Sequence, residues 1–451
     1  MTTDAPHETA EARAESAYSA AYLRYALGLL CLVYVVNFVD RQVLAILLQS
    51  IKNDLGLSDL QLGLLSGTAF GLFYATLGIP IARLADRFSR KGVIAICLTI
   101  WSGMTALCGT ASGFATLLLY RVGVGIGEAG GSPPSHSIIS DYFPPEKRAT
   151  ALGIFSLGVP LGILVGFMAG GWLNQAVGWR HAFIFVGLPG VLLAVVVAFT
   201  LREPPRGLSE GLRSDVASAP TAAEVIRFLW RMRSFRHVAL GSALYAFVGY
   251  SITTWAPSFL ERSHGMEPGE IGTALALIIG IGGGAGIYLG GVLADRLAIG
   301  SPLGRIRVPA VAQLLSFPFA FIIYTTPNTT LALALLTIPA FLGLMYQGPA
   351  FAVTQSLATP QMRATAAAVL LFVINIIGLA VGPALTGALS DALEPAFGED
   401  SLRYALLCVS MALAWSAFHF HRSGRTLVAD LEVARLASQR EAEGLPLLKS
   451  W

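Results

Sequence analysis

Long apolar runs separated by short polar connections dominate the chain. Twelve of them lie at about 22–51, 58–85, 92–110, 114–140, 149–173, 181–201, 236–260, 268–298, 306–326, 329–357, 361–391 and 401–420. Each is long enough to cross a ~30 Å hydrocarbon layer as a helix. A helix satisfies its own backbone hydrogen bonds, so the pattern predicts an all-α membrane protein with twelve transmembrane helices.

The only long connection is Arg202–Arg236, which starts Arg-Glu-Pro-Pro-Arg-Gly and continues rich in Ser and Ala. Within it, Thr221–Arg233 has helical spacing, with Val225, Phe228 and Leu229 set against Arg227, Arg231 and Arg233. That spacing suits a helix in the membrane interface with its basic side toward headgroups, or a solvated linker helix. Alternate loops hold seventeen Lys and Arg residues on one side against four on the other, Lys52, Arg180, Arg262 and Arg403. The richer side reads as cytoplasmic and carries both termini.

Composition narrows the class further. Of 451 residues, 55% are hydrophobic and 13% charged, against about 25% charged in soluble domains. A net charge of +3 is too small to point to nucleic acid. Cys31, Cys97, Cys108 and Cys408 lie in apolar runs without metal-ligand spacing, and read as small apolar side chains outside any disulfide framework. The N-terminal tail carries Asp4, Glu8, Glu11 and Glu15 and no basic segment before a short apolar core, so no cleaved signal peptide is expected.

Two strings recur at nearly one offset. Leu84-Ala85-Asp86-Arg87 returns as Leu293-Ala294-Asp295-Arg296, and Arg148-Ala149-Thr150-Ala151 as Arg363-Ala364-Thr365-Ala366. The recurrence predicts two pseudo-symmetric six-helix bundles, 22–201 and 236–421, joined by a 202–235 linker and flanked by tails 1–21 and 422–451.

Charges inside apolar runs are the candidate chemistry. An Asp or Arg near a bilayer centre costs roughly 2.5–3.5 kcal/mol on an insertion scale. Asp40 and Arg41 lie in the first run, Arg121 and Glu128 in the fourth. At 1.5 Å per residue, Asp40 falls roughly 16 Å and Arg121 roughly 10 Å below the outer surface, close enough in depth to pair. Glu128 follows Arg121 by seven positions, on the same helix face and deeper. Tyr34, Asn37 and Arg41 share a stripe on the first helix, so the two helices predict one polar wall of a central cavity. Asp40 is expected to pair alternately with Arg41 and Arg121, and Glu128 to be the main proton carrier.

The glycines of Gly123-x-Gly125-x-Gly127-Glu128 follow no strand, which excludes a phosphate loop and points to close helix packing. Gly130-Gly131-Ser132-Pro133-Pro134 should bend the fourth helix just below Glu128. The opposite wall is expected from Tyr245, Tyr250, Thr254, Trp255, Tyr346, Gln347, Gln355 and Asn375, with Phe70 and Tyr74 extending the apolar side.

Ala82-Arg83-Leu84-Ala85-Asp86-Arg87-Phe88-Ser89-Arg90-Lys91 resembles the loop motif of the major facilitator superfamily, with Ala and Ser at its two glycine positions. Arg121 with Gly125, Gly158-Val159-Pro160-Leu161-Gly162 and Gly178-Trp179-Arg180 match other motifs of that superfamily. Asn37-Phe38-Val39-Asp40-Arg41 with Gly127-Glu128-Ala129 is most similar to the spinster-type transporters of lysophospholipids and sphingolipids. An Asn-x-x-Asp-Arg string also occurs in organic anion symporters.

The resemblance implies the major facilitator fold and a latch between the two halves at Asp86, Arg87, Arg90, Asp295 and Arg296. It implies alternating access in a cell membrane, that of a bacterium, by a monomer without cofactor or metal. The expected cargo is a small amphipathic, lipid-like molecule moved with protons, among membrane lipids. The alternatives are an organic anion:proton symporter holding a carboxylate through Arg41 and Arg121, and a ligand-binding membrane sensor without turnover. No nucleophile–base pair suggests an enzyme.

Overall fold

The computed structural model describes residues 18–206, 208 and 220–443, apart from the side chains of Ile79, Asp86, Pro145, Ala149 and Ala442. These residues form helices and short turns, with no strand among them. In chain order they are α1 (Ala20–Leu55), α2 (59–87), α3 (Arg90–Cys108), α4 (114–142), α5 (145–177) and α6 (179–200). Next come the short α7 (Ala222–Arg231), then α8 (Arg233–His264), α9 (268–298) and α10 (Gly304–Thr325). The last are α11 (329–356), α12 (360–397), α13 (398–423) and α14 (Leu427–Ala442).

Among the described residues, eight stretches are long and apolar enough to cross a membrane. One of these contains both α5 and α6, and another both α12 and α13, while α4 and α8 fall outside them. Gly178, at φ 81°, separates α5 from α6, and only a residue without a Cβ takes that conformation cheaply. The fourth run bends as expected: α4 stops at Glu128 and resumes at Ser132, with prolines next in its new first turn. The stretch beyond 421 is not merely a tail, because α14 forms there; Leu427 and Ala434 join a buried core.

Packing divides the chain into two compact units that do not coincide with the sequence repeats. Unit 1 comprises 1–44 and 73–215. Its core is built on α3, which packs along α4 and the α5–α6 segment and buries Trp101 completely. Helix approach is close here: a Cβ at Gly127 would lie 2.7 Å from the Trp101 backbone nitrogen, so any larger residue would push α4 off α3.

Unit 2 comprises 45–72 and 216–451, and so takes in the end of α1 and the start of α2. Its core centres on α8 against α13 and α12, with Phe235, Val238, Leu370 and Phe420 buried. The start of α2 lies backbone to backbone on α12, where a Cβ at Gly63 would overlap the Pro383 carbonyl region.

Candidate functional site

Unit 1 gathers Asp40, Arg41, Arg121 and Glu128, the four charges expected to meet. Asp40 is 0% exposed, and Arg121 and Glu128 are each 1% exposed. The pairing differs from expectation. Arg41 Nε donates to Glu128 Oε2 at 2.5 Å, while Asp40 forms no ion pair with Arg41. Consecutive helical residues point about 100° apart, so Asp40 and Arg41 cannot serve one another. Arg41 turns instead toward α4, where the bend after Glu128 leaves that carboxylate facing α1.

Asp40 points toward α3. Ser102 Oγ donates to its Oδ2 at a long 3.4 Å, and its Oδ1 meets no donor among the described residues. Thr105 stands beside it without reaching hydrogen-bond geometry. Glu128 and Arg121 are its charged neighbours. Arg121 in turn feels Glu128, Asp40 and Arg41. The site therefore holds two buried carboxylates with the buried Arg121 and the partly exposed Arg41, one carboxylate firmly paired and the other weakly bonded. Ser102 and Thr105 were not picked out from sequence, since a hydroxyl in an apolar run is commonplace.

Aromatic rings frame the arginine. The Arg41 guanidinium carbon lies 4.8 Å from the Phe38 ring centroid and 4.6 Å from that of Tyr74, so Tyr74 belongs to this site. Tyr34 stacks on Phe155 at 4.5 Å, and Tyr34 and Asn37 line a narrow crevice with Val33, Trp101 and Ser135 that has no room for a water molecule. Asn37 is also a polar neighbour of Glu128.

The residues expected to form the second wall are distributed differently within unit 2. Trp255 is 0% exposed, and its Nε1 donates to the Pro383 carbonyl at 3.0 Å, which makes it a tie between α8 and α12. Phe70 is likewise buried in packing, and the Tyr346 ring lies tilted against that of Tyr245, centroids 4.7 Å apart, in the core. Thr254 is buried too. Tyr250, Gln347 and Asn375 remain partly accessible. Asn375 opens a π-helical stretch to Val381, a widening of α12 of the kind common at functional sites.

A second buried charge cluster, in unit 2, was not anticipated. Asp59 accepts from Lys52 Nζ, from both Arg262 terminal nitrogens and from Ser390 Oγ, each at 2.7 Å. Arg262 Nε donates to Gln49 Oε1 at 2.6 Å. Asp391 accepts from the Asp59 and Leu60 backbone N–H groups at 2.9 and 2.8 Å, capping the first turn of α2. The signal was present in the sequence: Lys52 and Arg262 are two of the four basic residues on the charge-poor side. The other two are also engaged. Arg180 donates to the Ala111 carbonyl at 2.6 Å, and Arg403 lies 3.4 Å from Asp400.

At the expected latch, Arg90 is 1% exposed and pairs with Asp141 and Glu203 while donating to the Pro204 carbonyl. It binds the segment after α6 to the start of α3, all inside unit 1. Burial opposes ionisation of Glu203, but hydrogen bonds from Arg90, the Lys91 N–H and Ser89 outweigh it and hold its carboxyl below the usual range. Arg87 and Arg296 are exposed, and Asp295 meets Arg305 at 3.2 Å on the surface. The Asp86 side chain lies outside the described residues.

Residues 30–383 match the Major Facilitator Superfamily. The chain is 36% identical to an MFS-type efflux pump of Mycolicibacterium smegmatis, over 86% of its own length and 89% of the pump's. It is 27% identical to a hexuronate transporter of Bacillus subtilis, over 80% of this chain and 86% of that one. A bacterial homologue of the human lysosomal transporter spinster, solved inward-facing and unoccupied, superposes with a TM-score of 0.85. That likeness is at 34% identity and covers 92% of this chain and 99% of the other.

Proposed function

Since the chain belongs to the Major Facilitator Superfamily and is a multi-pass membrane transporter rather than an enzyme, we propose that it couples proton movement to the transport of amphipathic, lipid-like molecules. Asp40 and Glu128 carry the protons. The supporting observation is the unequal bonding of two buried carboxylates that share two arginines. Glu128 keeps its charge while Arg41 faces it. Asp40 and Glu128 each keep one oxygen without a hydrogen-bond partner, but only Glu128 has a direct ion pair, so Asp40 is the group for which gaining a proton breaks no salt bridge. If Arg41 or Arg121 swings between the two acids, the proton's residence changes with it, and alternating access can be tied to that exchange.

The substrate class rests on likeness to an efflux pump and to a spinster homologue, and on Arg41 lying among Phe38 and Tyr74, where charge and ring faces adjoin. The hexuronate transporter supports a second reading, in which Arg41 and Arg121 hold a substrate carboxylate. Uptake into proteoliposomes under an imposed pH gradient separates the two. Labelled lysophosphatidylcholine should accumulate and glucuronate should not. Asp40→Asn and Glu128→Gln should each abolish the dependence on the gradient. Unchanged pH dependence in both variants would remove the proton assignment, and glucuronate uptake alone would favour the second reading.

A further inference from the structure

The face that α3 turns toward Asp40 carries two hydroxyls, Ser102 and Thr105, three positions apart and both fully buried. Their placement is set by α6. A Cβ at Gly190 would overlap the Ser102 hydroxyl, and one at Gly187 would collide with the α3 backbone at Ser102 and Ala106. Glycine at both positions lets α3 come close at the rotation that presents this pair. Ser102 Oγ donates to Asp40 Oδ2 at 3.4 Å. Asp40 Oδ1 and Thr105 Oγ1 are each buried without a hydrogen-bond partner among the described residues, and the two residues are neighbours. The other groups facing Asp40 are Glu128 and Arg121 of α4 and the Cys108 thiol of α3.

The chemistry of the donors distinguishes this seat from the one around Asp59. Lys52 and Arg262 can only donate, so they serve a charged carboxylate alone. A hydroxyl rotates: it donates to a carboxylate and accepts from a protonated acid. We propose that Ser102 and Thr105 are positioning residues that accommodate Asp40 in both states, with Thr105 as the partner of Oδ1. In the charged state a turn of the Thr105 side chain brings its hydrogen to Oδ1. When a proton arrives on Oδ1, the new O–H donates to Thr105 Oγ1. The hydrogen of Thr105 then turns to a carbonyl one turn back in its own helix, as helical threonines do. Asp40 gains only the proton delivered, and Thr105 keeps its own. The inference rests on the reading of Asp40 as a proton carrier, and adds the groups that make the uptake reversible.

Infrared difference spectroscopy of the full chain in proteoliposomes tests this without any substrate. The protonated-carboxyl band that disappears in Asp40→Asn belongs to Asp40, and its pH midpoint is read in each variant. A hydrogen bond to a charged acceptor is about twice as strong as a neutral one, so losing the hydroxyl disfavours the carboxylate. Thr105→Val, which keeps the side-chain shape, should move the midpoint to higher pH by about half a unit or more. Ser102→Ala should move it the same way, and Thr105→Ser should keep the wild-type value. A midpoint unmoved in Thr105→Val would overturn the inference while leaving Asp40 a proton carrier. Equal displacement by Thr105→Ser and Thr105→Val would overturn it too, because packing rather than the hydroxyl would then be responsible. A spectrum with no titrating band lost in Asp40→Asn would remove the proton reading itself, and this inference with it.

Discussion

Asp40 and Asp59 are both buried aspartates on or beside the first two helices, yet their surroundings differ completely. Asp59 receives four hydrogen bonds, two of them from one guanidinium held across both oxygens. Its lone pairs are filled and its charge is met twice over, so it acts as a fixed tie among α1, α2, α8 and α12 within unit 2. Asp40 has one long hydrogen bond and one oxygen without a donor, while the nearest firm ion pair belongs to its neighbours Arg41 and Glu128. A saturated buried carboxylate holds structure together. One left short of partners keeps a chemical option open, and that is the difference expected between a girder and a proton site.

The contrast should be visible as a reversal between stability and transport. Arg262→Ala leaves the buried Asp59 carboxylate with Lys52 as its remaining ion-pair partner and should cost about 3 kcal/mol, the low end of the scale for removing one partner from a buried ion pair. Asp40→Asn should change stability by no more than about 1 kcal/mol while losing gradient-driven uptake. Thermal unfolding in one detergent, run beside the proteoliposome assay, reads both effects. If Asp40→Asn melts as early as Arg262→Ala, the distinction between the two aspartates fails.

The Arg90 cluster sharpens the comparison through pH. Glu203 is held below its ordinary range, so its pairing contributes stability that is fully present above the unfolded value of about 4.3. That contribution is lost as pH falls further, through the lower folded value. Because Glu203 is partly exposed, with 30% of its side chain accessible, the effect should be about 1 kcal/mol after screening. Wild type should lose its advantage over Glu203→Gln as melts are taken from neutral pH to below that window. A constant difference across the range would show that the pair does not titrate as described.

A smaller effect belongs to Asp391, which caps α2 from α12. Asp391→Ala should cost roughly 0.5–2 kcal/mol, as lost helix caps do. Slower amide exchange at Asp59 and Leu60 in the variant would contradict the cap.

Much of the fold was legible because span length and helical period are local properties. The break below Glu128 followed from Gly130-Gly131-Ser132-Pro133-Pro134, and the linker helix from the spacing of Val225, Phe228 and Leu229. Phe70, Trp255 and Tyr346 misled because an aromatic residue on a membrane helix looks the same whether it lines a space or fills one. Asp59 was passed over since it lies beside a loop, where an acid needs no explanation.

The sequence by itself determined which segments are helices, where the chain repeats, and that Asp40, Arg41, Arg121 and Glu128 sit at compatible depths on two helices. It also marked Lys52 and Arg262 as out of place on the charge-poor side. Only the tertiary structure decided that Arg41 serves Glu128 rather than the acid next to it, and that Arg262 reaches Asp59 across 203 positions. An ion pair depends on contact within a few ångströms. That contact is set by the rotation of each helix about its axis and by how closely glycines let backbones approach, and neither is encoded in any single stretch.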